Sequence, residues 1–404
     1  MHNKWPNVQF LTIGKRCVEE FPTLPALEPF NDKAIRFLAA LSRHLRELPA
    51  SREYPDIAAF AYQIRKAELQ RLKIRYRNQL DTRLGRGVSF HIAPSNVPIN
   101  FAYSLAAGLI SGTSSIVRVS TKEFPQVDIL CGALNSLLRE AKHEEIASTI
   151  AIVRYGRSHE INSRFSALCD VRVIWGGDNS IAEIRRAPLP AKAFDIVFSD
   201  RHSASVIDAA AYLESTSKEK IASAFYNDTY LFDQGACSSP RLIYWIGTHL
   251  EITNAQKLFW THLHSKLDAN NYSNAAVTSV EKHATACAAA IQLEDTKTSI
   301  VRDNRLIRIK LKNLESSLSN FNCNGGIFFE FSATNLKHLP CAIDRKFQTL
   351  TYFGTEVESL KKMVLSQGLS GVDRIVPVGN ASKFSFIWDG YDLIRQMSRI
   401  ITTQ

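Results

Sequence analysis

Residues 88–119 read VSFHIAPSNVPINFAYSLAAGLISGTSSIVRV, and this stretch decides the fold. Its first five residues, Val88–Ile92, form a short apolar run that predicts a buried strand. Ile99–Ile110 predicts a helix, and Ser115–Val119 predicts a second strand. A proline-bounded turn joins the first strand to the helix, and Ser111-Gly112-Thr113 joins the helix to the second strand. The stretch therefore predicts a βαβ unit, in which a crossover helix connects two parallel strands.

The same alternation of strands and helices continues to Phe198. The predicted elements are a helix over Gln126–Lys142, a strand over Thr149–Val153, a helix over His159–Leu168, a strand over Val171–Trp175, a short helix up to Arg186 and a strand over Phe194–Phe198. Such alternation predicts a doubly wound, mostly parallel sheet that binds ligands at the carboxyl ends of its strands.

A second α/β region begins near His202. We predict helices over Ser203–Leu213, Ser217–Leu231, Asn254–Asp268, Ser279–Gln292 and Val357–Gln367, and strands over Leu242–Ile246, Ile300–Lys310, Gly326–Phe331 and Thr349–Phe353. In the tail, Arg374–Gly379 predicts a strand, and Trp388-Asp389-Gly390-Tyr391-Asp392 predicts the start of a last helix.

The expected fold class is α/β with two domains. We assign residues 1–200 to a cofactor-binding domain and expect residues 373–404 to pack back on it. Residues 201–372 form the expected catalytic domain. Two helices with apolar faces between Asn31 and Leu80 are interpreted as scaffold for the first domain.

Composition narrows the class of function. The 404 residues carry a formal net charge of +10 and a pI near 9.2. No Lys/Arg-rich block interleaved with aromatic residues is present, so a phosphorylated cofactor, coenzyme A or an acidic carrier protein fits the charge better than nucleic acid does. No run approaches the roughly 18 apolar residues of a membrane span, and no secretory signal is recognisable.

Seven scattered cysteines, an odd number without a CxxC pair, disfavour disulfides and a zinc site. This usage favours a reducing cytoplasm, and we expect no metal.

The candidate nucleophile is Cys237, in the run Phe232-Asp233-Gln234-Gly235-Ala236-Cys237-Ser238-Ser239-Pro240. The run connects a predicted helix to a predicted strand, and small neighbours allow a carbonyl to approach the sulfur. Asn96, in the proline-bounded turn after the first strand, can donate to a developing oxyanion together with the Cys237 backbone N–H. The alternative interpretation of each residue is ordinary: a small apolar cysteine in a loop, and an asparagine that satisfies its own turn.

Nucleotide binding would need an unusual geometry, because neither GxGxxG nor a P-loop sequence follows the first strand. Two loops at the carboxyl ends of predicted strands are candidates. After Ser115–Val119, Arg118 and Lys122 offer cations and Ser120 offers a hydroxyl. After Val171–Trp175, Gly176, Gly177 and Asp178 open a helix whose N-terminal N–H groups suit a phosphate.

These motifs carry a family resemblance. Pro94-Ser95-Asn96-Val97-Pro98 and Gln234-Gly235-Ala236-Cys237 resemble the proline–Asn turn and the nucleophile loop of the aldehyde dehydrogenase superfamily. More narrowly, the chain resembles the LuxC-type long-chain fatty acyl-CoA reductases of bacterial bioluminescence and related pathways over roughly residues 30–395. The stretches that carry this likeness are 91–98, 175–178, 233–240, 348–350, 374–379 and 388–391.

The resemblance implies an aldehyde-dehydrogenase-like fold with the active site in the crevice between two α/β domains. It implies reduction of an acyl thioester, such as acyl-CoA, to the aldehyde by NADPH through an acyl group on Cys237, with Asn96 at the oxyanion. Gln348 and Thr349 would contact the cofactor ribose. Implied partners are copies of the chain itself and an acyl-activating synthetase.

One departure from the oxidative members of the superfamily is informative. They carry a glutamate general base some 35 residues before the cysteine, whereas Ile196-Val197-Phe198-Ser199 has no carboxylate. A missing base favours a reductase over an enzyme that hydrolyses its acyl intermediate. Asp195 and Asp200 flank this region.

Two alternatives stay open from the sequence. The chain can reduce a shorter or aromatic acyl group delivered by a carrier protein or as an acyl-adenylate, or it can be a non-catalytic scaffold that binds acyl chains. The choice between NADPH and NADH rests only on Arg118 and Lys122, which favour the extra phosphate.

Overall fold

The computed structural model describes residues 5–12, 17–300 and 303–403. The chain divides into two compact units, each with its own sheet and core. The first comprises Met1–Ser199 and Phe386–Gln404, and the second comprises Asp200–Ser385. We had expected the chain to leave the second domain at residue 373. It does so only at Phe386, because Arg374–Pro377 pairs with a strand of the second sheet.

Strands and helices are numbered in order along the whole chain, and the first unit contains the following ones. Its strands are β1 Gln9–Phe10, β2 Arg83–Gly85, β3 Val88–Ile92, β4 Ser114–Val119, β5 Ile150–Arg154, β6 Val171–Trp175 and β7 Phe194–Phe198. Its helices are α1 Asp32–Glu47, α2 Ala50–Glu53, α3 Pro55–Gln63, α4 Lys66–Leu80, α5 Asn100–Ser111, α6 Pro125–Leu138, α7 Glu144–Ala147, α8 His159–Ser166 and α9 Asp178–Arg185.

The first sheet has the strand order β1-β5-β4-β3-β6-β7, and only β1 runs antiparallel to its neighbour. Both β3 and β6 are buried along their whole length, as expected of strands covered by helices on two faces. The chain moves outward from β3 to β4 and β5, then crosses back to β6. The strand order thus reverses between β3 and β6, which places a ligand-binding crevice at their carboxyl ends.

In the second unit, the strands are β8 His202–Asp208, β9 Pro240–Ile246, β10 Lys297–Ile300, β11 Ile307–Lys310, β12 Ile327–Ala333, β13 Phe347–Phe353 and β14 Arg374–Pro377. The helices are α10 Ala209–Glu214, α11 Lys218–Thr229, α12 His249–Ala269, α13 Ala276–Gln292 and α14 Val357–Ser366. The sheet order is β10-β11-β12-β9-β8-β13-β14, with all pairs parallel except β10 with β11.

Two predictions for this unit were wrong. The predicted helix Ser203–Leu213 is instead strand β8 followed by α10, because a short apolar run can fill either a buried strand or a buried helix. The predicted single strand Ile300–Lys310 is instead the antiparallel pair β10 and β11, and residues 301–302 lie outside the described part. Asp303-Asn304 in the connection is a turn signal.

The predicted last helix is present, but it begins only at Leu393, with Asp392 as its N-cap. Two short strands, β15 Ile387–Trp388 and β16 Tyr391–Asp392, form a hairpin in the first unit. Asp389 and Gly390 have φ values of +49° and +76°, which is the Asp-Gly pattern of a tight hairpin turn. The chain then ends with α15 Leu393–Gln396 and β17 Ser398–Ile400, which pairs with β2.

Across the described residues, we find no helix that combines the length and the apolar character needed to cross a bilayer.

A buried guanidinium organises one end of the first sheet. Arg172 in β6 is 1% exposed, and its side chain donates to both carboxylate oxygens of Asp195 in β7 at 2.7 and 3.2 Å. It also donates to the Ser166 hydroxyl and to the carbonyls of Ile184 and Ala187. Asp195 meets a second arginine, Arg185, whose side chain is 53% exposed. The two arginines differ in burial while they share one carboxylate.

We expect Arg172→Ala to lower the free energy of unfolding by about 3–5 kcal/mol, because it leaves the Asp195 charge partly buried without its main partner. Arg185→Ala is the matched control, since its loss from the surface should cost only about 0–1 kcal/mol. Denaturant unfolding of the two variants measures the difference. Equal losses in the two would contradict this account of Arg172.

Candidate active site

The loop that carries Cys237 lies between α11 and β9 and has no regular structure. It begins with Asp233 and Gln234, whose φ values of +51° and +61° are left-handed. These angles turn the chain sharply after the 3-10 turn Tyr230–Phe232. Cys237 is partly exposed, whereas Ser238 and Ser239 after it are buried. None of the seven cysteines forms a disulfide, so Cys237 carries a thiol.

Gln234 anchors this loop to the sheet. Its side chain is fully buried, and Nε2 donates to the carbonyls of Pro240 and Ile327 at 3.0 and 2.9 Å. Oε1 accepts the N–H groups of Gly326 and Ile327 at 3.0 and 3.1 Å. An uncharged amide can satisfy two carbonyls and two N–H groups at once. The glutamine of the Gln-Gly-x-Cys motif is therefore a positioning residue for the loop.

Ser203 attaches the loop at a second point. Its hydroxyl donates to the Cys237 carbonyl at 2.7 Å and accepts the Thr349 N–H at 3.1 Å. Both ladders of β8 shift register at this position, between Ser203 and Ala204 toward β9 and between Phe347 and Leu350 toward β13. A shifted ladder leaves backbone groups unpaired. The Ser203 hydroxyl meets one of them, the Thr349 N–H, and through its second bond it ties Cys237 to β8 and β13.

Gln348 and Thr349, which we predicted to contact a cofactor, are almost fully buried in β13. The Thr349 hydroxyl donates to Gln348 Oε1 at 3.2 Å, and Arg374 donates to the Thr349 hydroxyl at 3.4 Å. The structure thus brings Thr349 to Cys237 through Ser203, as support for the loop. A cofactor contact of these two residues stays a prediction.

His202 precedes Ser203 and is also buried. Its Nε2 lies 3.6 Å from Asp344 Oδ1, but burial dominates and lowers the pKa of the imidazole to about 4. The ring packs edge-on against Phe347 at 5.2 Å. His202 is therefore neutral at physiological pH and belongs to the packing of β8 against β13.

In the first unit, Asn96 follows the carboxyl end of β3 and is exposed. Its place after β3, beside the point where the strand order reverses, is the edge where this type of sheet binds ligands. The loop therefore leaves the Asn96 residue exposed to solvent. Its role at an oxyanion stays a prediction.

The predicted cations lie at the end of β4, which contains Arg118, and in the loop after it, which contains Lys122. The Arg118 side chain is engaged by Tyr155. Its Nη2 donates to the Tyr155 carbonyl at 3.2 Å, and its Cζ lies over the Tyr155 ring, 5.0 Å from the ring centre. Ser120 accepts the Lys122 N–H at 3.0 Å. The Lys122 side chain is exposed, with Nζ 4.9 Å from the centre of the Phe124 ring. Lys122 is thus the more accessible of the two predicted cations.

The loop after β6 leads directly into α9. Gly177 caps this helix with φ −68° and ψ 156°, ordinary extended backbone, and the Gly176 N–H donates to the Phe198 carbonyl at 3.1 Å. Asp178, exposed in the first turn, stabilises the helix terminus but opposes a phosphate there. A phosphate therefore fits the Lys122 side of this edge better than the start of α9.

Taken together, the carboxyl edge of the first sheet fits a dinucleotide. The reversal of strand order between β3 and β6 provides the crevice, Lys122 an accessible cation, Ser120 a hydroxyl, and the Gly176–Gly177 backbone a close approach. Among the described residues, no group of three or more His, Cys, Asp or Glu side chains could hold a metal ion.

The sequence missed the positioning residues. No local pattern in the sequence indicates a positioning role for Ser203, because a serine inside a strand suggests such a role only once the register shift is known. Gln234 stood within the quoted motif, but its partners at residues 326 and 327 are distant in sequence.

Comparisons with known proteins agree with this geometry. A family model described as acyl-CoA reductase (LuxC) matches residues 65–400. A long-chain acyl-protein thioester reductase from Photorhabdus luminescens is 23% identical over 327 residues, which cover 78% of this chain and 63% of that protein. The enzyme of the same description from Vibrio harveyi is 26% identical over 170 residues, covering 41% of this chain and 33% of that one. The chain thus spans less than two thirds of the length of these relatives.

Solved structures share the fold. A mutant of Thermus thermophilus 1-pyrroline-5-carboxylate dehydrogenase superposes with a TM-score of 0.64 at 12% identity, covering 96% of this chain and 85% of that one. An NAD-dependent benzaldehyde dehydrogenase from Corynebacterium glutamicum gives 0.61 at 13% identity, covering 95% and 86%. At these identities the likeness shows the aldehyde-dehydrogenase-like fold alone, which confirms the predicted fold class.

We expect Gln234→Leu, which keeps the volume of the side chain, to lower the free energy of unfolding by at least about 3 kcal/mol, since each buried backbone group left unsatisfied costs about 1–3 kcal/mol. The matched control is Gln367→Leu, an exposed glutamine of the same unit, with an expected change within about 0.5 kcal/mol. Denaturant unfolding measures both. A Gln234→Leu protein as stable as its control would show that the four hydrogen bonds do not anchor the loop.

Proposed function

We propose that this chain, which belongs to the acyl-CoA reductase (LuxC) family, reduces a long-chain fatty acyl thioester to the aldehyde through an acyl group carried on Cys237. The observation that carries the proposal is the family match over residues 65–400, which includes the loops of both Asn96 and Cys237. The anchoring of the Cys237 loop by Gln234 and Ser203 supports it, because a nucleophile needs a rigid support.

The first half of the proposed reaction is acyl transfer. The Cys237 thiolate attacks the thioester carbonyl, and the C–S bond to the donor thiolate breaks as the bond to Cys237 sulfur forms. Negative charge develops on the carbonyl oxygen during the attack. We expect the Asn96 carboxamide and the Cys237 backbone N–H to donate hydrogen bonds to this oxygen.

The second half releases the aldehyde. NADPH would supply the hydride that reduces the acyl carbon. We expect it to be held by Lys122, Ser120 and the Gly176–Gly177 backbone, with further contacts from Arg118, Asp178, Gln348 and Thr349. The same two donors then hold the oxyanion of the reduced adduct. Its collapse breaks the bond to sulfur, frees the aldehyde and restores the Cys237 thiolate. Lys122 favours NADPH over NADH because an accessible ammonium suits an additional phosphate.

Two features of the segment that lacks a glutamate base support reduction over hydrolysis. Asp195, which flanks the segment that lacks a glutamate base, is engaged by Arg172 and Arg185. Phe198 in the same segment stacks on Trp175 with ring centres 3.6 Å apart and an interplanar angle of 11°. A carboxylate committed to arginines and a stacked phenyl ring cannot activate a water molecule.

The names of the relatives also bear on the identity of the acyl donor. The relatives are named for acyl-protein substrates, which favours a protein-bound acyl thioester alongside acyl-CoA as the donor. Such a donor would come from an acyl-activating synthetase, and we expect the enzyme to assemble with itself. We place the activity in the cytoplasm, because seven cysteines without disulfides suit a reducing compartment.

NADPH oxidation with acyl-CoAs of graded chain length tests the activity. We expect turnover that increases toward long chains and is abolished in Cys237→Ala, since no other group would carry the acyl intermediate. Cys341→Ala, at an exposed cysteine of the same unit, is the control and should keep full activity. Without NADPH, intact mass should show one acyl group on the wild-type protein and none on Cys237→Ala.

Two outcomes would contradict this account. NADPH oxidation that survives in Cys237→Ala would eliminate the covalent intermediate. A wild-type protein that reduces neither acyl-CoA nor acyl-carrier substrates would instead favour the non-catalytic scaffold.

Asn96→Ala should lower kcat about 10²- to 10³-fold while NADPH binding is unchanged, because the carboxamide acts only when charge develops on the carbonyl oxygen. Ser95→Ala, at the exposed neighbour in the same loop, controls for disturbance of the loop. Steady-state kinetics with a long-chain acyl-CoA measures both variants. An equal, small effect of the two substitutions would exclude Asn96 from the oxyanion site.

A further inference from the structure

Lys282 is a buried ammonium that the proposed reaction does not use. It lies in α13, most of which is exposed, yet its own side chain is almost fully buried and the residue is 1% exposed. Nζ donates to the Gly325 carbonyl at 2.6 Å and to the Asn304 carbonyl. Lys282 forms no ion pair with any residue in the described ranges, and burial lowers its pKa to about 8. Burying a cation against neutral carbonyls is costly, so we expect the two hydrogen bonds to fix a backbone segment whose conformation matters.

What Lys282 holds is the turn Gly325–Gly326. Both glycines have left-handed φ values, +63° and +93°. A Cβ on Gly325 would lie 2.4 Å from Thr278 Cγ2, and one on Gly326 would lie 2.2 Å from the Tyr230 hydroxyl. The turn is therefore wedged between α13 and the residues that precede the Cys237 loop. Only glycine fits either position.

The same turn holds the start of the Cys237 loop. The Gly325 N–H donates to the Asp233 carbonyl at 2.8 Å, and the Gly326 N–H donates to Gln234 Oε1 at 3.0 Å. Asp233 and Gln234 are the two left-handed residues that direct the chain toward Cys237. One peptide turn thus connects the Lys282 ammonium to the two residues that set the path of the loop.

We infer that Lys282 is a positioning residue for Cys237: its ammonium fixes the Gly325–Gly326 turn, and the turn fixes the loop in the geometry that acyl transfer requires. This inference rests on the proposed function of Cys237. A purely structural lysine would affect the stability of the protein and leave the reactivity of the Cys237 thiol unchanged.

The test is the rate at which a long-chain acyl-CoA acylates Cys237 without NADPH, followed by intact mass, in wild type and Lys282→Ala. We expect acylation to slow by about tenfold to a hundredfold, because small displacements of a reacting group are costly. Ethylammonium added to Lys282→Ala should restore much of the rate, since it supplies N–H donors to the two carbonyls. Tetraethylammonium has the same charge without donors and should restore nothing.

Controls separate positioning from general damage. Glu281→Ala, at the exposed neighbour in α13, should acylate like wild type. Lys282→Gln keeps N–H donors without the charge, so its loss should be smaller than that of Lys282→Ala, and it replaces that variant if the alanine protein does not fold. An unchanged acylation rate in a folded Lys282 variant would overturn the inference. So would a loss that ethylammonium and tetraethylammonium restore equally.

Alkylation of Cys237 by iodoacetamide distinguishes this inference from the proposed function, because it needs no acyl substrate. If no acyl thioester acylates the wild type, the proposed function fails, while a slower alkylation in Lys282→Ala that ethylammonium reverses still supports the positioning role. Alkylation equal to wild type, together with normal acylation, would remove that role and leave the proposed function intact.

Discussion

The four hydrogen bonds of the Gln234 side chain are the interaction on which the candidate nucleophile depends. The Cys237 loop has neither a helix nor a strand ladder to satisfy its backbone, so its path must be fixed from outside. Gln234 does this by meeting the backbone of Pro240, Gly326 and Ile327 in a fully buried position. Because an unpaired buried group is expensive, each bond restricts the loop to one conformation.

The other attachments follow the same principle. Ser203 reaches the Cys237 carbonyl from β8, at the point where the ladders on both sides shift register. The Gly325–Gly326 turn reaches Asp233 and Gln234 from the start of β12. The loop is thus tied to strands of a rigid parallel sheet, while Cys237 itself stays partly exposed. A thiol that must meet a substrate needs both conditions, a fixed backbone and an open side chain.

The first unit shows the complementary arrangement. Its buried strands supply rigidity, and the loops at their carboxyl ends carry the accessible polar groups. Charges that do not belong to this edge are neutralised inside the unit, as Arg172 and Asp195 are. The Trp175–Phe198 stack closes the ends of β6 and β7 with apolar surface. Together these features leave the segment from Asp195 to Ser199 without a carboxylate able to activate water, which suits the proposed reduction better than a hydrolysis.

The sequence by itself determined the α/β class, the first sheet and the Cys237 loop. Strands such as Val88–Ile92 are short segments rich in apolar residues, and the Pro-Asn and Gln-Gly-x-Cys motifs are local patterns. It also contained the Asp-Gly signal at Asp389, which we misread as a helix start although Asp-Gly favours a tight turn.

Only the tertiary structure decided the rest. It made His202–Asp208 a strand, turned Arg118 toward Tyr155, and brought Ser203, Gln234 and Lys282 to one support. These outcomes depend on partners tens of residues away and on the burial that the complete fold creates. A local pattern fixes which residues can form a strand or a loop, whereas hydrogen bonds between distant segments are set by packing.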